Sequence, residues 1–273
     1  MKHGLVRVLH PESYVDDPTR ILRAVRYEMR YGFQITPEDL RLIAAAKSHL
    51  GGLSGERLRH ELDLILVEEK SAQMMQRLKE LDILSNIQPL LDWDATKADY
   101  LAKINQPQPD SWQDVPDLLH VPRRVGLSYL VWLGSLQPSA IQELALRLDF
   151  KASLREALLA FSSLYRDLPG LIESKASEIV GRLETLPPLV ICAGMLAAEP
   201  PARAIMDNYL ARWRHIKPKT TGDDLIQRGL PPGPTYKKIL NGLRMAWLDG
   251  EIRTNEEEML LLEKLVMEFK TLE

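Results

Sequence analysis

A single cysteine, Cys192, is all that the sequence offers for thiol or disulfide chemistry. It has no internal partner, and its neighbours, Leu189 to Ala198 (LVICAGMLAA), are apolar, so it reads as a small buried hydrophobe and not as a nucleophile. Long apolar runs are also lacking. The longest uncharged one, Leu186 to Ala198, is too short to span a bilayer, and its two prolines mark a helix start. No apolar stretch follows Lys2 and His3, so no leader and no membrane partner are expected, and the expected compartment is cytoplasmic. The histidines at 3, 10, 49, 60, 120 and 215 never stand at metal-ligand spacing, and neither a Gly-rich phosphate loop nor a nucleophile elbow occurs. Positive charge is not in excess: 35 Lys and Arg against 38 Asp and Glu leave a net charge of −3. Binding to a nucleic acid would therefore depend on a local basic face.

What is present is enough to fold. With 273 residues, 45% of them hydrophobic and 27% charged, the chain has the composition of an ordinary globular protein with a sizeable core. Gly4 to His10 (GLVRVLH) alternate apolar and polar, which predicts one short strand. From Pro18 onward the apolar residues recur at helical spacing, predicting about ten to twelve helices and an all-α fold, an elongated array of helices. A lone strand forms no sheet. It is read as the last strand of a domain lying upstream, with pairing to another molecule as the alternative.

Helix starts are legible where a hydroxyl precedes an acid or amide by three residues: Thr36 with Asp39, Ser139 with Gln142, and Thr254 with Glu257, the last opening a helix from Glu256 to about Leu272. Two Pro-rich stretches, Asn105 to Pro122 and Ile216 to Pro234, predict breaks between three helical units, with no repeat that would suggest a solenoid.

The informative segment is Asp16 to Phe33 (DDPTRILRAVRYEMRYGF). On a helical wheel Ile21, Leu22, Ala24, Val25 and Met29 share one side, while Arg20, Arg23, Arg26 and Arg30 fall within roughly a 120° sector on the other. Such a stripe repels itself unless anions or carboxylates answer it; a solvated face countered by Asp16, Asp17 and Glu28 is the plain alternative. A carboxylate three residues before an arginine also matches a nucleobase edge, accepting from an exocyclic amine while the guanidinium donates to ring nitrogens or a carbonyl.

The run from Gly4 to Ala46, followed by LSGERLRHELDLIL, resembles the junction of head and neck in the class II tRNA nucleotidyltransferase and bacterial poly(A) polymerase family. There an acidic-Asp-x-x-Arg motif continues as Leu-Arg-Ala-Val-Arg and is followed by a Ser-x-Glu-Arg helix. The tail of the chain, with Gly222-Asp-Asp-Leu, Pro232-Gly-Pro and Asp249-Gly-Glu-Ile, is similar to the same family's tail. Asp16 stands where the family more usually has Glu, and Tyr236-Lys237 where it commonly has small or apolar residues.

By this resemblance Asp17 and Arg20 correspond to the nucleobase-reading pair, Arg23 and Arg26 to arginines that contact the incoming nucleotide, and Glu56 and Arg57 to the motif that supports their helix. Lys217, Lys219, Lys237 and Lys238 become the candidate RNA contacts of the tail. The resemblance implies a neck at 16–83, a body at 84–200 and a tail at 201–273, with 1–15 as a remnant of the catalytic head. It implies an enzyme that transfers CMP or AMP from CTP or ATP to the 3′ end of tRNA, or a poly(A) polymerase. In that family a head domain holds Mg²⁺ for the chemistry. No catalytic residue, metal ligand or cofactor of its own is expected in this chain, which is expected to be inactive without that head. A headless helical RNA-binding or scaffold protein is the remaining alternative. Asp92-Trp93-Asp94 follows a helix without a phosphate loop and is not expected to bind metal.

Overall fold

The computed structural model describes residues 4–271. It is built from sixteen α-helices among those residues, more than the sequence suggests, because helices of four to six residues are too short to show a period. The first stretch carries α1 (Ser13–Asp16), α2 (Thr19–Tyr31), α3 (Pro37–Ala46), α4 (Gly55–Leu66), α5 (Ser71–Glu80) and α6 (Ile83–Ile87). The middle carries α7 (Ala95–Ile104), α8 (Arg123–Leu133), α9 (Pro138–Arg147), α10 (Ala152–Ile172), α11 (Ala176–Leu183), α12 (Pro188–Ala197) and α13 (Pro200–Ala211). The last stretch carries α14 (Gly222–Gln227), α15 (Pro234–Asp249) and α16 (Asn255–Thr271). A compact protein of this mass exposes about 12,000 Å². This chain exposes 14652 Å², as an extended array of helices does.

The expected lone strand is shorter and is not alone. β1 (Leu5–Val6) pairs in parallel with β2 (Gln34–Ile35), Leu5 opposite Gln34 and Val6 opposite Ile35. Two residues carry no alternation signal, so β2 was invisible in the sequence, and the partner of β1 lies within this chain. The pairing is fixed from the side by Asp39. This buried acid accepts from Val8 N at 2.8 Å, from the Tyr14 hydroxyl at 3.2 Å and from the Thr36 hydroxyl, while its own amide donates to Thr36 Oγ1. The capping box predicted at Thr36 is therefore also a tertiary joint. The box at Thr254 forms as expected, Glu257 N donating to Thr254 Oγ1. The one at Ser139 does not: Pro138 takes the first helical position of α9, moving the cap to Gln137, whose side chain makes no cap bond.

One continuous apolar core runs from Tyr14 to Leu210, reaches Leu248 of α15, and takes in Trp93, Trp132, Tyr129 and Phe161. Cys192 lies inside it, and burial pushes its thiol up to about 12. The Pro-rich stretch after α7 is no free linker, since Trp112 and Val115 are buried in this core. A second, small core holds Leu225, Leu230, Ile239, Leu243, Leu262 and Val266. Polar contacts tie it to the first: Ser177 N and Oγ donate to Asp249, and Arg244 bonds Glu184 and the Ile216 carbonyl. Beside it, buried Glu258 accepts from Lys219 N, Thr220 N and Oγ1, and the Trp247 indole. Among the described residues no single helix is long and apolar enough to cross a membrane; the apolar pair α11 and α12, bent by 118°, is mostly buried in the core.

Candidate nucleotide and RNA site

The start of α2 is held by Asp17. Its Oδ1 accepts from Thr19 N at 3.2 Å, from Thr19 Oγ1 at 2.6 Å and from Arg57 Nη2 at 2.8 Å, across from α4. Arg20 Nε stands 3.9 Å from Asp17 Oδ2, and Arg20 Nη1 donates to the Ser13 carbonyl at 3.2 Å. Burial pushes the Asp17 carboxyl up, but the bonds from Thr19 and the charges of Arg57 and Arg20 outweigh it and hold the group below the usual carboxylate range. Asp17 is therefore a fixed anion at neutral pH, oriented before any ligand arrives.

The arginine stripe divides. Arg23 is exposed, whereas Arg26 is buried against α4, 3.6 Å from Glu61, with both side chains 10% exposed. Tyr27 bridges the two arginines: their hydrogen bonds, that from Arg23 first, hold its hydroxyl below the usual tyrosine range. Arg30 pairs with Glu68 at 3.2 Å. Glu28, a candidate counter-charge, does not serve the stripe. It sits in the middle of the apolar side, buried, where it accepts from Ile35 N and Arg77.

Between α2 and α4 lies a concavity of about 450 Å³ lined by Asp17, Thr19, Arg23, Glu56, Arg57, Arg59, His60, Glu61 and Asp63. The structure thus brings Asp17, Arg23, Glu56 and Arg57 to one place, with Arg20 at its edge and Arg26 behind Glu61. Glu56 is exposed at the rim. Arg20 and Arg23 also border a second hollow of about 290 Å³ with Arg7, Tyr14 and Tyr27.

Three lining residues escaped the sequence reading. Arg59 is bound to the Leu148 carbonyl at 3.1 Å and to Asp149. Asp63 accepts from Tyr129 Oη at 2.9 Å. Glu61 falls in the apolar row Leu58, Leu62, Ile65, and an acid in such a row is the signal that would have found it.

Burial raises the Asp63 carboxyl despite the Tyr129 bond and the charges of Arg59 and His60. The penalty for ionising such an acid is absent below its ordinary value of 3.8 and grows as pH rises through the raised one. Asp63→Asn keeps an acceptor for Tyr129 and removes the buried charge. Its melting temperature at pH 7 is expected above wild type, with the advantage vanishing towards pH 4 in a pH series of melts; a gap that widens on acidification would contradict it.

The tail lysines are not gathered in this way. Lys217, Lys219, Lys237 and Lys238 are all exposed, and among the described residues none has a carboxylate within 4.0 Å, which leaves their charge available to a polyanion. Asp92-Trp93-Asp94 is structural: Asp92 pairs with Lys79 and Lys97, Asp94 caps α7 through Lys97 N, and Trp93 is fully buried between them. Among the described residues no three His, Cys, Asp or Glu side chains converge as a metal site.

The family described as the probable RNA and SrmB-binding site of polymerase A matches residues 32–94. An A-adding tRNA nucleotidyltransferase of Geobacter sulfurreducens is 31% identical over 97% of this chain and 31% of its own length. Another, from Halalkalibacterium halodurans, is 24% identical over 95% of this chain and 58% of its own. The chain thus spans 31% and 58% of the length of these two relatives. Among solved structures, the Thermotoga maritima CCA-adding enzyme complexed with tRNA superposes with a TM-score of 0.78 at 25% identity, over 98% of this chain and 65% of that one. A CCA-adding enzyme complexed with ATP gives 0.79 at 26% identity, over 98% and 64%. By sequence along nearly all of its length, and by the order and packing of its helices, the chain matches a region of the tRNA nucleotidyltransferase family.

Proposed function

We propose that this chain is the nucleotide- and tRNA-recognising region of an enzyme that transfers CMP or AMP from CTP or ATP to the 3′ hydroxyl of tRNA, with pyrophosphate leaving. The observation that carries the reading is Asp17, locked by Thr19 and Arg57 beside Arg20 and Arg23 at the mouth of a concavity. A fixed carboxylate and a neighbouring guanidinium form a rigid acceptor and donor pair, which selects a base edge without a nucleic acid template. Arg57 sets the direction of Asp17, Glu56 flanks it, and Arg26 backs the helix from the far side. We assign 16–83 to a neck, 84–200 to a body, 201–273 to an RNA-gripping tail and 1–15 to the approach to a catalytic head. That head would hold Mg²⁺ and carry the phosphoryl chemistry, and the reaction would take place in the cytoplasm.

Binding of tRNA at about 50 and 200 mM salt, with ATP and CTP titrated separately, tests this reading. The double variant Arg20→Ala, Arg23→Ala is expected to lose nucleotide binding and keep tRNA binding. A set with Lys217, Lys219, Lys237 and Lys238 changed to Ala is expected to lose about tenfold or more in tRNA affinity at low salt, with a shallower salt dependence. Loss of neither activity would overturn the assignment in favour of a helical scaffold. A poly(A) polymerase is the second reading, favoured by the family description that covers 32–94. Assay of the intact enzyme on tRNAs ending before C, CC and CCA separates the two, since only the polymerase extends a finished CCA end repeatedly.

A further inference from the structure

The segment from Ile216 to Thr220 carries Lys217 and Lys219 and forms neither helix nor strand, yet it is held at both ends. Arg244 Nε of α15 donates to the Ile216 carbonyl at 3.0 Å. At the other end Glu258 of α16 accepts through Oε1 from Thr220 N at 2.7 Å and Thr220 Oγ1 at 2.6 Å, and through Oε2 from Lys219 N at 3.0 Å and from the Trp247 indole. Pro218, between the two lysines, has its φ fixed by its ring. Glu258 is 2% exposed, and among the described residues no Lys, Arg or His nitrogen lies within 4.0 Å of its carboxylate. Burial pushes its carboxyl up, but the bonds from Thr220, Lys219 and Trp247 outweigh it and hold the group below the usual glutamate range, so it is an anion at neutral pH. A buried charge without a counter-ion is costly, and packing α16 against α15 would be served at lower cost by an apolar side chain. A carboxylate is acceptor-only, which suits four converging donors, and three of these four come from the lysine-bearing segment.

We propose that Glu258 is a positioning residue for RNA: it does not touch the ligand, and by locking the backbone of Lys219 and Thr220 it presents Lys217 and Lys219 as a preset pair to phosphates of an RNA strand. The inference rests on the RNA-gripping tail put forward above. The Cα atoms of the two lysines are at most about 7 Å apart, so the pair can meet neighbouring phosphates of one strand. A free loop has to be ordered when it binds, which lowers affinity; a loop braced by Glu258 is ordered beforehand. Lys237 and Lys238 lie on α15 itself and need no such brace.

The test is equilibrium binding of tRNA to the whole chain at about 50 and 200 mM salt, with thermal melts alongside. Glu258→Ala is expected to weaken binding about threefold at the lower salt. On a Lys217→Ala, Lys219→Ala background the same change is expected to add nothing, whereas on a Lys237→Ala, Lys238→Ala background it is expected to add its full factor of about three. An equal loss on both backgrounds would show general damage to the tail, and no loss from the wild type would show that the lysines need no brace; either result overturns the proposal. Should Glu258→Ala fail to fold, Glu258→Gln keeps the volume and part of the acceptor set, and is expected to give a smaller loss with the same dependence on Lys217 and Lys219. If Lys217→Ala, Lys219→Ala by itself leaves tRNA affinity unchanged, the reading of these lysines as RNA contacts fails, and the positioning role falls with it.

Discussion

Replacing Arg147 by Met is expected to lower the melting temperature by about 10 °C or more, since each kcal/mol lost corresponds to about 2–4 °C in a chain of this size. Arg147 ends α9 and reaches two other segments, the end of α6 and the stretch from Leu50 to Leu53. Its Nε donates to the Ile87 carbonyl at 3.1 Å, Nη1 to Leu53 at 2.9 Å, and Nη2 to Leu50 at 3.0 Å and Gly51 at 3.1 Å. All four acceptors lie at or beside helix ends, where carbonyls are short of partners; Leu50 O also accepts from Leu53 N at 3.2 Å. Methionine fills the same space but leaves the Ile87 and Leu53 carbonyls, both only partly open to water, without this donor, and the four lost bonds together cost about 3–5 kcal/mol. Lysine keeps the charge but, with one nitrogen in place of three, cannot serve both segments, so Arg147→Lys is expected to recover less than half of the loss. Calorimetry decides: a fall of only a degree or two for Arg147→Met would mean that the carbonyls find water.

Gly55→Ala is expected to be nearly as damaging, although alanine favours a helix over glycine by about 1 kcal/mol. Gly55 is the first residue of α4, and a Cβ there would meet the Arg147 carbonyl oxygen at 2.5 Å, Asp149 N at 2.8 Å and Leu148 C at 2.9 Å. Each of these atoms is backbone, so no rotamer change relieves the contact. The end of α4 must back away from the α9–α10 turn, and with it go the bonds of Arg59 to Leu148 and Asp149. Two residues further on, Arg57 loses its hold on Asp17. A destabilisation of about 2–3 kcal/mol is expected from the overpacking. ATP and CTP affinity is expected to fall about tenfold while tRNA binding through the tail persists. Denaturant titration with parallel nucleotide binding checks both parts; unchanged nucleotide affinity would show that α4 does not set the direction of Asp17. The two substitutions act on one joint, so their costs combined should fall short of their sum.

The helical class and most long helices were legible because period and caps agree, as at Thr36 and Thr254. Contacts that join distant segments were not. Nothing local to Asp39 announces Val8 or Tyr14, and nothing in the α9 sequence announces that Arg147 serves Leu50 and Ile87. At the candidate site the spacing of Asp17 and Arg20 was readable, and so was the stripe, yet a wheel treats Arg20, Arg23 and Arg26 alike. Only the position of α4 separates exposed Arg23 from buried Arg26, and that position is a tertiary fact. Glu28 and Glu61 carry a further lesson: each is an acid inside an apolar row, a misfit in the period that the wheel reading passed over and that would have pointed to a buried partner.

The small second core bears on cooperativity. Six buried side chains around Ile239 and Leu243 hold α14, α15 and α16 together; Leu248 of α15 joins the larger core, and the hydrogen bonds between the two are partly exposed to water. Such a unit opens at a lower free energy than the body it adjoins. Its amide protons are expected to exchange with solvent through excursions that leave the larger core closed, and all-or-none unfolding is then expected to fail for the chain as a whole. A single melting midpoint then describes the region that holds Asp17 and Arg147, while the C-terminal helices, the part that would meet a long and irregular RNA surface, retain the freedom to open and reclose on their own.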